Sequence, residues 1–449
     1  MAPHPPALEY ALRCSNWNTR GWTFQERHLS RRCIYFSSDF VYFQCGESTR
    51  CETGGDLLPW LDITPTTGYS SRAEALRKVE MNPLLYLPTC ASPDPLSFQE
   101  NPNPVDHYVY KRHRFDVYQE IVEAYSRRQL SFVADALNAF AGVGRVLERA
   151  FDCSILSGLP TCYLDHALIW AHEGSWTRRV LPDSSHNNRD GLSTKVFPSW
   201  SWAGWTGSMQ YLLLTKGENT YRRENHEYAR SEIECFQIFH SGELHEIFKD
   251  KARMNAVLTR NLGSYSQKPI LKTYPIYLGY EERKTQGIQG PDFGPDALQF
   301  WTEAVRDDAF TLTQLGHGHL IADREHGNVV GEQGVIKMLD GAKTHCGLML
   351  SFHSKDTRTW HKPTRGRLEW ILVSSFGDAH DRRSGLKTVD TEVRLFDERK
   401  LPYKGPGSGL VNVMLIEWDD EVAERLTVAQ VHRQAWEAAG PERKHIRLI

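Results

Sequence analysis

Two arginines, Arg20 and Arg27, bracket the stretch "RGWTFQER", which also carries Glu26. A pair of guanidinium groups can hold a phosphate in a bidentate fork. On a helix the same arginines serve equally as ion-pair partners, and Glu26 is within reach of both. Trp200, Trp202 and Trp205 crowd into "FPSWSWAGW". Indoles at that density stack on a sugar or a base, or they bury area in an aromatic seam between the helical and β-rich parts of the chain. Read as extended chain, the segment puts Trp200 and Trp202 on one side. His317, His319 and His326 in "LGHGHLIADREH", with His345 and Cys346, gather nitrogen and sulfur donors. No carboxylate or cysteine set completes a recognised spacing around them, and Cys45 and Cys51 are weaker still, so no metal is expected.

Other chemistries lack their signatures. There is no G-x-S-x-G elbow and no G-x-x-x-x-G-K-[ST] phosphate loop. "AGVGRVLER" has glycines only at 142 and 144, inside a helical pattern, which suits close helix packing better than a dinucleotide. The 449 residues hold 53 Lys and Arg against 56 Asp and Glu, a net charge of -3, so no long-range field favours nucleic acid or an acidic membrane. No apolar run approaches the roughly 18–20 residues of a membrane helix. The first residues lack a signal-peptide pattern. Nine cysteines without a CxxC pair fit reduced thiols and a cytoplasmic chain.

The elements that must position these residues read as follows. Thr19 or Asn18 caps a helix through "RGWTFQERHL", with Phe24 and Leu29 on its apolar side. "RCIYF" and "DFVYFQC" are strands joined by a turn at Ser37-Ser38-Asp39. Residues 51–112, rich in Pro, Gly, Thr and Asn, are loops or a linker. In "RFDVYQEIVEAYSRR" the stripe Phe115, Tyr118, Val122 and Tyr125 predicts a helix. "SFVADALNAFAGVGRVLERAF" predicts a second one, capped by Ser131, with Val133, Leu137, Phe140, Gly144, Leu147 and Phe151 on one face. "LPTCYLDHALIW" is a shorter third. Beyond about residue 207, apolar β-branched runs punctuated by glycine ("YPIYLGY", "GNVVGEQGVIKML", "HCGLMLSFH", "LEWILVSSF", "VNVMLIEW") predict strands, with "QGIQGPDFGPD" a loop. The fold class is therefore α+β.

"NTRGWTFQERHLSRRCIYF" closely resembles the last of three sequence blocks of the fungal heterokaryon incompatibility (HET) domain. The block's pattern, Arg-Gly-Trp-Thr-x-Gln-Glu-Arg followed by Leu-Ser-x-Arg, falls here on Arg20, Gly21, Trp22, Thr23, Gln25, Glu26, Arg27, Leu29, Ser30 and Arg32. "AYSRRQLSFVADALNAFAGV", "LSGLPTCYLDHALIW", "FPSWSWAGW" and the C-terminal "VNVMLIEWDDEVAERLTVAQVHRQAWEAA" look like later landmarks of the same family. The family's first two blocks, Leu-Ser-Tyr-x-Trp-Gly and Trp-Ile-Asp-x-x-Cys-Ile-x-Gln, do not occur in the sequence. The resemblance therefore implies an incomplete domain, whether shortened in the gene or by a misplaced start. It implies the C-terminal part of a TIR-like α/β domain at 1–50, a linker at 51–112, a helical region at 113–196 and a β-rich region at 197–449. Strands of such a remnant would stand at an exposed edge, an aggregation liability unless later β segments cover it.

In function, the resemblance implies fungal non-self recognition and the programmed cell death that accompanies it, through protein partners still to be identified. An incomplete domain points to a non-catalytic or regulatory member with no cofactor. The alternative follows from the likeness of HET to TIR domains, some of which cleave NAD⁺ with a helical glutamate that follows an aromatic residue. "GWTFQE", with Trp22 four residues before Glu26, resembles that arrangement. Glu26 would then stabilise oxocarbenium character at the ribose as nicotinamide leaves, with NAD⁺ as substrate. That chemistry needs groups converging from several elements, which the two absent blocks or a partner chain would have to supply.

Overall fold

The computed structural model describes residues 8–13, 15–45, 49–53, 114–151, 153–181, 195–211, 230–240, 243–248, 297–314, 320–322, 329–352, 367–375, 386–387, 392–393, 395–402 and 409–449. All but the start of the expected 51–112 linker, the tracts "YPIYLGY" and "QGIQGPDFGPD", and His317, His319 and His326 lie outside those residues. The chain mixes helix and strand, an α+β composition. It divides into two compact units, the described residues of one ending at Gly158 and those of the other beginning at Leu159.

The first unit opens with helix α1 (Leu8–Arg13), a 3₁₀ turn (Asn16–Thr19) and helix α2 (Trp22–Leu29). Neither Thr19 nor Asn18 caps α2. The residue before it is Gly21, already helical and without a side-chain cap, and Ser15 caps the 3₁₀ turn instead. Phe24 is fully buried, but Leu29 is exposed. Strands β1 (Arg32–Phe36) and β2 (Val41–Cys45) form the expected hairpin, and β3 (Thr49–Cys51) joins β2 to complete a three-stranded sheet. Alternation decides its faces. Tyr35 and Tyr42, directly opposite each other, turn inward onto Leu8, Leu12 and Cys51, while Ile34 and Phe43 turn outward as a pair.

Helix α3 (Arg114–Ser126) buries the whole expected stripe of Phe115, Tyr118, Val122 and Tyr125. The second predicted helix is broken. Residues Val133–Ala136 and Asn138–Phe140 form 3₁₀ turns, and helix α4 runs only from Ala141 to Phe151. Ser131 is exposed and caps nothing; the residue before the first turn, Phe132, makes no side-chain cap. The Tyr125 hydroxyl donates to the Ala136 carbonyl at 2.7 Å, and the Phe140 N–H goes to Leu137 rather than to Ala136. The Tyr125 bond ties the chain to α3 at the point where the i to i+4 ladder gives way to 3₁₀ turns.

The second unit begins with a 3₁₀ turn (Thr161–Tyr163) and a one-turn helix α5 (Leu164–Ala167), less than the third helix expected. Strand β4 (Ala171–Arg178) pairs antiparallel with β5 (Trp205–Gln210), so this ribbon straddles the 196/197 boundary read from sequence. The main sheet holds β6 (Glu234–His240), β7 (Glu243–Phe248), β8 (Ala297–Arg306), β9 (Thr311–Gln314), β10 (Val329–Leu339), β11 (His345–Phe352), β12 (Arg367–Ser375), β13 (Leu410–Asp419), β14 (Val422–His432) and β15 (Glu442–Leu448). Its order is β7-β6-β8-β12-β13-β14-β11-β10-β9. Strand β15 pairs antiparallel with β8 and makes one parallel pairing, Ala423 with Leu448, to β14. The circuit β8, β12, β13, β14, β15 is thereby closed, which removes edges at its centre. Strands β12 and β13 are buried almost end to end, as continuous apolar runs require. A short helix α6 (Arg433–Ala438) leads from β14 to β15 and seats Trp436 in the core.

Candidate functional site

The backbone places the motif helix before any side chain acts. The Gln129 N–H donates to the Thr19 carbonyl and the Gly21 N–H to the Gln129 carbonyl, each at 2.7 Å, so Arg20 and Gln129 form a parallel bridge just beyond α3. Gly21 suits that approach: a Cβ there would lie 2.3 Å from Leu130 Cδ2 and 3.3 Å from the Gln129 carbonyl oxygen, so Leu130 would have to move. Arg128 then clamps the helix start. Its Nη2 donates to Asn18 Oδ1 at 2.6 Å, and its Nη1 to the Arg20 carbonyl at 3.2 Å and to Thr23 Oγ1 at 3.1 Å. Its guanidinium carbon stands 4.9 Å from the centre of the Phe24 ring. The Thr23 hydroxyl also reaches the Trp17 and Arg20 carbonyls. Gln25 Oε1 accepts from the Gly142 N–H at 3.2 Å, and the Trp22 indole donates to Asp135 Oδ2 at 3.3 Å with its ring 40% exposed. Gly142 is the expected packing glycine, since a Cβ there would meet Leu29 Cδ1 at 2.5 Å.

The two arginines of the expected phosphate fork separate. Arg27 is buried and hydrogen-bonds the Tyr35 hydroxyl, whereas the Arg20 side chain is exposed. Beside Arg27, His28 is edge-on to Phe24 at 4.3 Å. Burial first, then the charges of Arg27 and Arg128, push its pKa down to about 3, so it is a neutral core residue at physiological pH. Glu26 is exposed, and among the described residues its carboxylate has no hydrogen-bond or ion-pair partner. The expected pairing with Arg20 or Arg27 is absent. Of the motif side chains, those of Trp22, Thr23, Gln25 and Arg27 join the helix to its surroundings, and those of Arg20 and Glu26 are left facing solvent.

The three tryptophans belong to a second cluster, within the unit that starts at Leu159. Trp200, Trp202 and Trp205 are all buried. The alternation expected of them fails because the segment is no strand there: Trp200 lies in a turn, Trp202 opens a 3₁₀ turn (Trp202–Gly204), and only Trp205 starts β5. Their partners all come from the same unit, several of them from residues 170–178 on the other side of the 196/197 boundary read from sequence. The Trp205 indole donates to the Ser199 carbonyl at 2.8 Å and the Trp170 indole to the Trp200 carbonyl at 3.1 Å. Trp205 and Trp170 stand edge-on to His172, whose other neighbour Trp176 stacks on it at 4.4 Å. Arg178 lies over Trp205 and donates to the Gly204 carbonyl at 2.8 Å. Gly204 admits this contact: a Cβ would fall 2.4 Å from the Pro198 carbonyl oxygen.

At the centre is Arg425 of β14, wholly buried, its guanidinium carbon 3.4 Å from the centre of the Trp170 ring. Its Nη2 donates to the Trp170 carbonyl and its N–H to Ser199 Oγ. The Ser199 hydroxyl in turn donates to the Ile449 carbonyl, so one arginine strand ties β4, the tryptophan turn and the chain's last residue together. Burial lowers the pKa of Arg425 to about 9 and that of Arg178 to about 10. His172 is held well below its usual value by burial and then by Arg425. This is a core built round a cation and aromatic faces, not a stacking platform open to a sugar. Sequence reading missed Arg425, although it falls in phase with Ala423 on a strand whose inward residues are apolar.

His345 is half-buried with its ring against the Gly347 carbonyl, and burial, then Lys337, lowers its pKa to about 4. The Cys346 thiol donates to the Met338 carbonyl and is pushed up to about 12 by burial. Among the described residues no three His, Cys, Asp or Glu side chains gather as a metal set, and no helix is long and apolar enough to cross a membrane. Comparison with family models, with curated proteins and with solved structures finds no match in any of the three.

Proposed function

We propose that this chain acts in fungal heterokaryon incompatibility, as a non-catalytic or regulatory protein of the HET type that works in the cytoplasm through protein contacts. The observation that carries the non-catalytic part is the use of the motif helix. Gly21, Trp22, Thr23, Gln25 and Arg27 are engaged in joining α2 to its surroundings, as a docking device would be, and the one acidic residue stands outside with no converging partner. Cleaving an N-glycosidic bond requires a carboxylate fixed against the ribose by neighbouring groups. The test is nicotinamide release from NAD⁺ by the purified chain. The expected result is none above buffer. Release that Glu26→Gln abolishes would refute the proposal.

A second function, a TIR-like NAD⁺ hydrolase using Glu26, draws on the same exposure: a carboxylate without intramolecular partners remains available to a site completed by another chain. Nicotinamide release that appears only on mixing with a partner and disappears in Glu26→Gln distinguishes it.

A further inference from the structure

Strand β1 combines three properties that together specify an occupant. The first is an edge that no strand covers among the described residues. Among the described residues β1 pairs only with β2. Ser37 donates its N–H to Phe40 at the end of the hairpin. Antiparallel ladders alternate, so Tyr35 with Tyr42 and Cys33 with Gln44 exchange hydrogen bonds. The N–H and C=O groups of Arg32, Ile34 and Phe36 therefore point away from β2, into the edge. The second is an apolar outer face: Ile34 is 61% exposed, Phe36 80% and Phe43 37%. The strand "RCIYF" has no proline, glycine, lysine or bulge to discourage pairing.

The third property is the charge at its two ends. Arg31 and Arg32, both exposed, stand where β1 begins, and exposed Asp39 stands in the turn where it ends. A parallel neighbour of like sequence would set arginine against arginine. An antiparallel one sets the arginine end of each strand against the aspartate turn of the other. We propose that β1 is the docking edge for a second copy of this chain, the two β1 strands pairing antiparallel about a two-fold axis so that one continuous sheet crosses it. Such an interface is isologous, each copy giving and receiving the same contacts. The register that satisfies the outward groups and sets Arg31 of each copy opposite Asp39 of the other places Ile34 opposite Phe36, which covers the apolar face. This pairing does not depend on the incompatibility role.

The experiment is sedimentation equilibrium of the full chain across a concentration series. It uses wild type, the double variant Ile34→Lys with Phe36→Lys, Arg31→Asp, and Arg31→Asp combined with Asp39→Arg. The substituted side chains are exposed, so thermal midpoints should hold. The expected result is a reversible monomer–dimer equilibrium in the wild type. The double lysine variant weakens it by about tenfold or more, Arg31→Asp weakens it less, and the paired charge reversal restores it. A wild type that stays monomeric overturns the proposal. So does a dimer indifferent to the lysines, a failure of the paired reversal to restore association, or slow hydrogen exchange at residues 32, 34 and 36 in the monomer, which would mean that the chain covers its own edge.

Discussion

Arg128 should matter more to the motif helix than any residue of the motif that carries charge. The perturbation is Arg128→Met, which keeps the aliphatic stem and removes the guanidinium. Three hydrogen bonds are lost, to Asn18 Oδ1, the Arg20 carbonyl and Thr23 Oγ1, together with the contact on the Phe24 ring. At about 0.5–1.5 kcal/mol net for each bond and about 0.5–1 kcal/mol for the cation–π contact, the sum is about 2–5 kcal/mol. The side chain is only partly buried, so water replaces some of what is lost, and about 2–3 kcal/mol is the expected destabilisation. Arg128→Lys keeps the charge but cannot serve three separated acceptors from one nitrogen, and should fall between the two. Glu26→Gln, at an exposed side chain without partners, should stay within about 0.5 kcal/mol of wild type. The chain has two compact units, so a single global transition is not assumed. Urea titration read by hydrogen exchange in residues 18–29 and 114–151 isolates the relevant unit. Equal stability of Arg128→Met and wild type, or a larger loss in Glu26→Gln, would refute the docking account of the motif.

Two further outcomes follow from buried ionisable groups. His28 is depressed to about 3 in the fold, below its unfolded value of about 6.5, so the unfolded chain binds the extra proton between those limits. Stability from this residue is therefore complete above about pH 6.5 and is lost as pH falls toward 3, by at most about 1.4 kcal/mol per pH unit. His28→Phe, measured by urea titration at pH 7 and pH 4.5, should flatten that slope, and an unchanged slope would contradict the assignment. In the other unit, Glu369 is buried and held by Lys444 at 2.6 Å and the Trp418 indole at 2.8 Å. Lys444→Met should cost about 1–2 kcal/mol, because the Trp418 indole and Arg367, 3.4 Å away, still hold the carboxylate, and adding Glu369→Gln should recover part of that loss in a double-mutant cycle.

What the sequence disclosed and what it hid divide along one physical line. Period-two and period-3.6 patterns report which face of an element meets the core, so the α3 stripe, the β1–β2 hairpin and strands β10 to β13 were legible. Patterns say nothing about where a polar group is diverted by a distant partner. The second helix looked continuous because its stripe is continuous, yet it gives way to 3₁₀ turns where the Tyr125 hydroxyl reaches in to the Ala136 carbonyl. The same limit applies to the sites. Glu26 drew attention by its neighbours in sequence, yet its fate was set by Gln129 and Arg128, more than a hundred residues on, which take the backbone and side chains around it into a packed joint. Arg425 is the converse, a residue outside any motif whose role appears only when β14 carries it under Trp170. A charged residue in the inward phase of an apolar strand is itself a signal, because burial of a cation needs an aromatic face or carbonyls to receive it. The three tryptophans of "FPSWSWAGW" join this arginine through Ser199, which accepts from the Arg425 N–H, and through the Trp200 carbonyl, which accepts from the Trp170 indole, while Arg178 covers Trp205, so their density belongs to packing round two buried arginines.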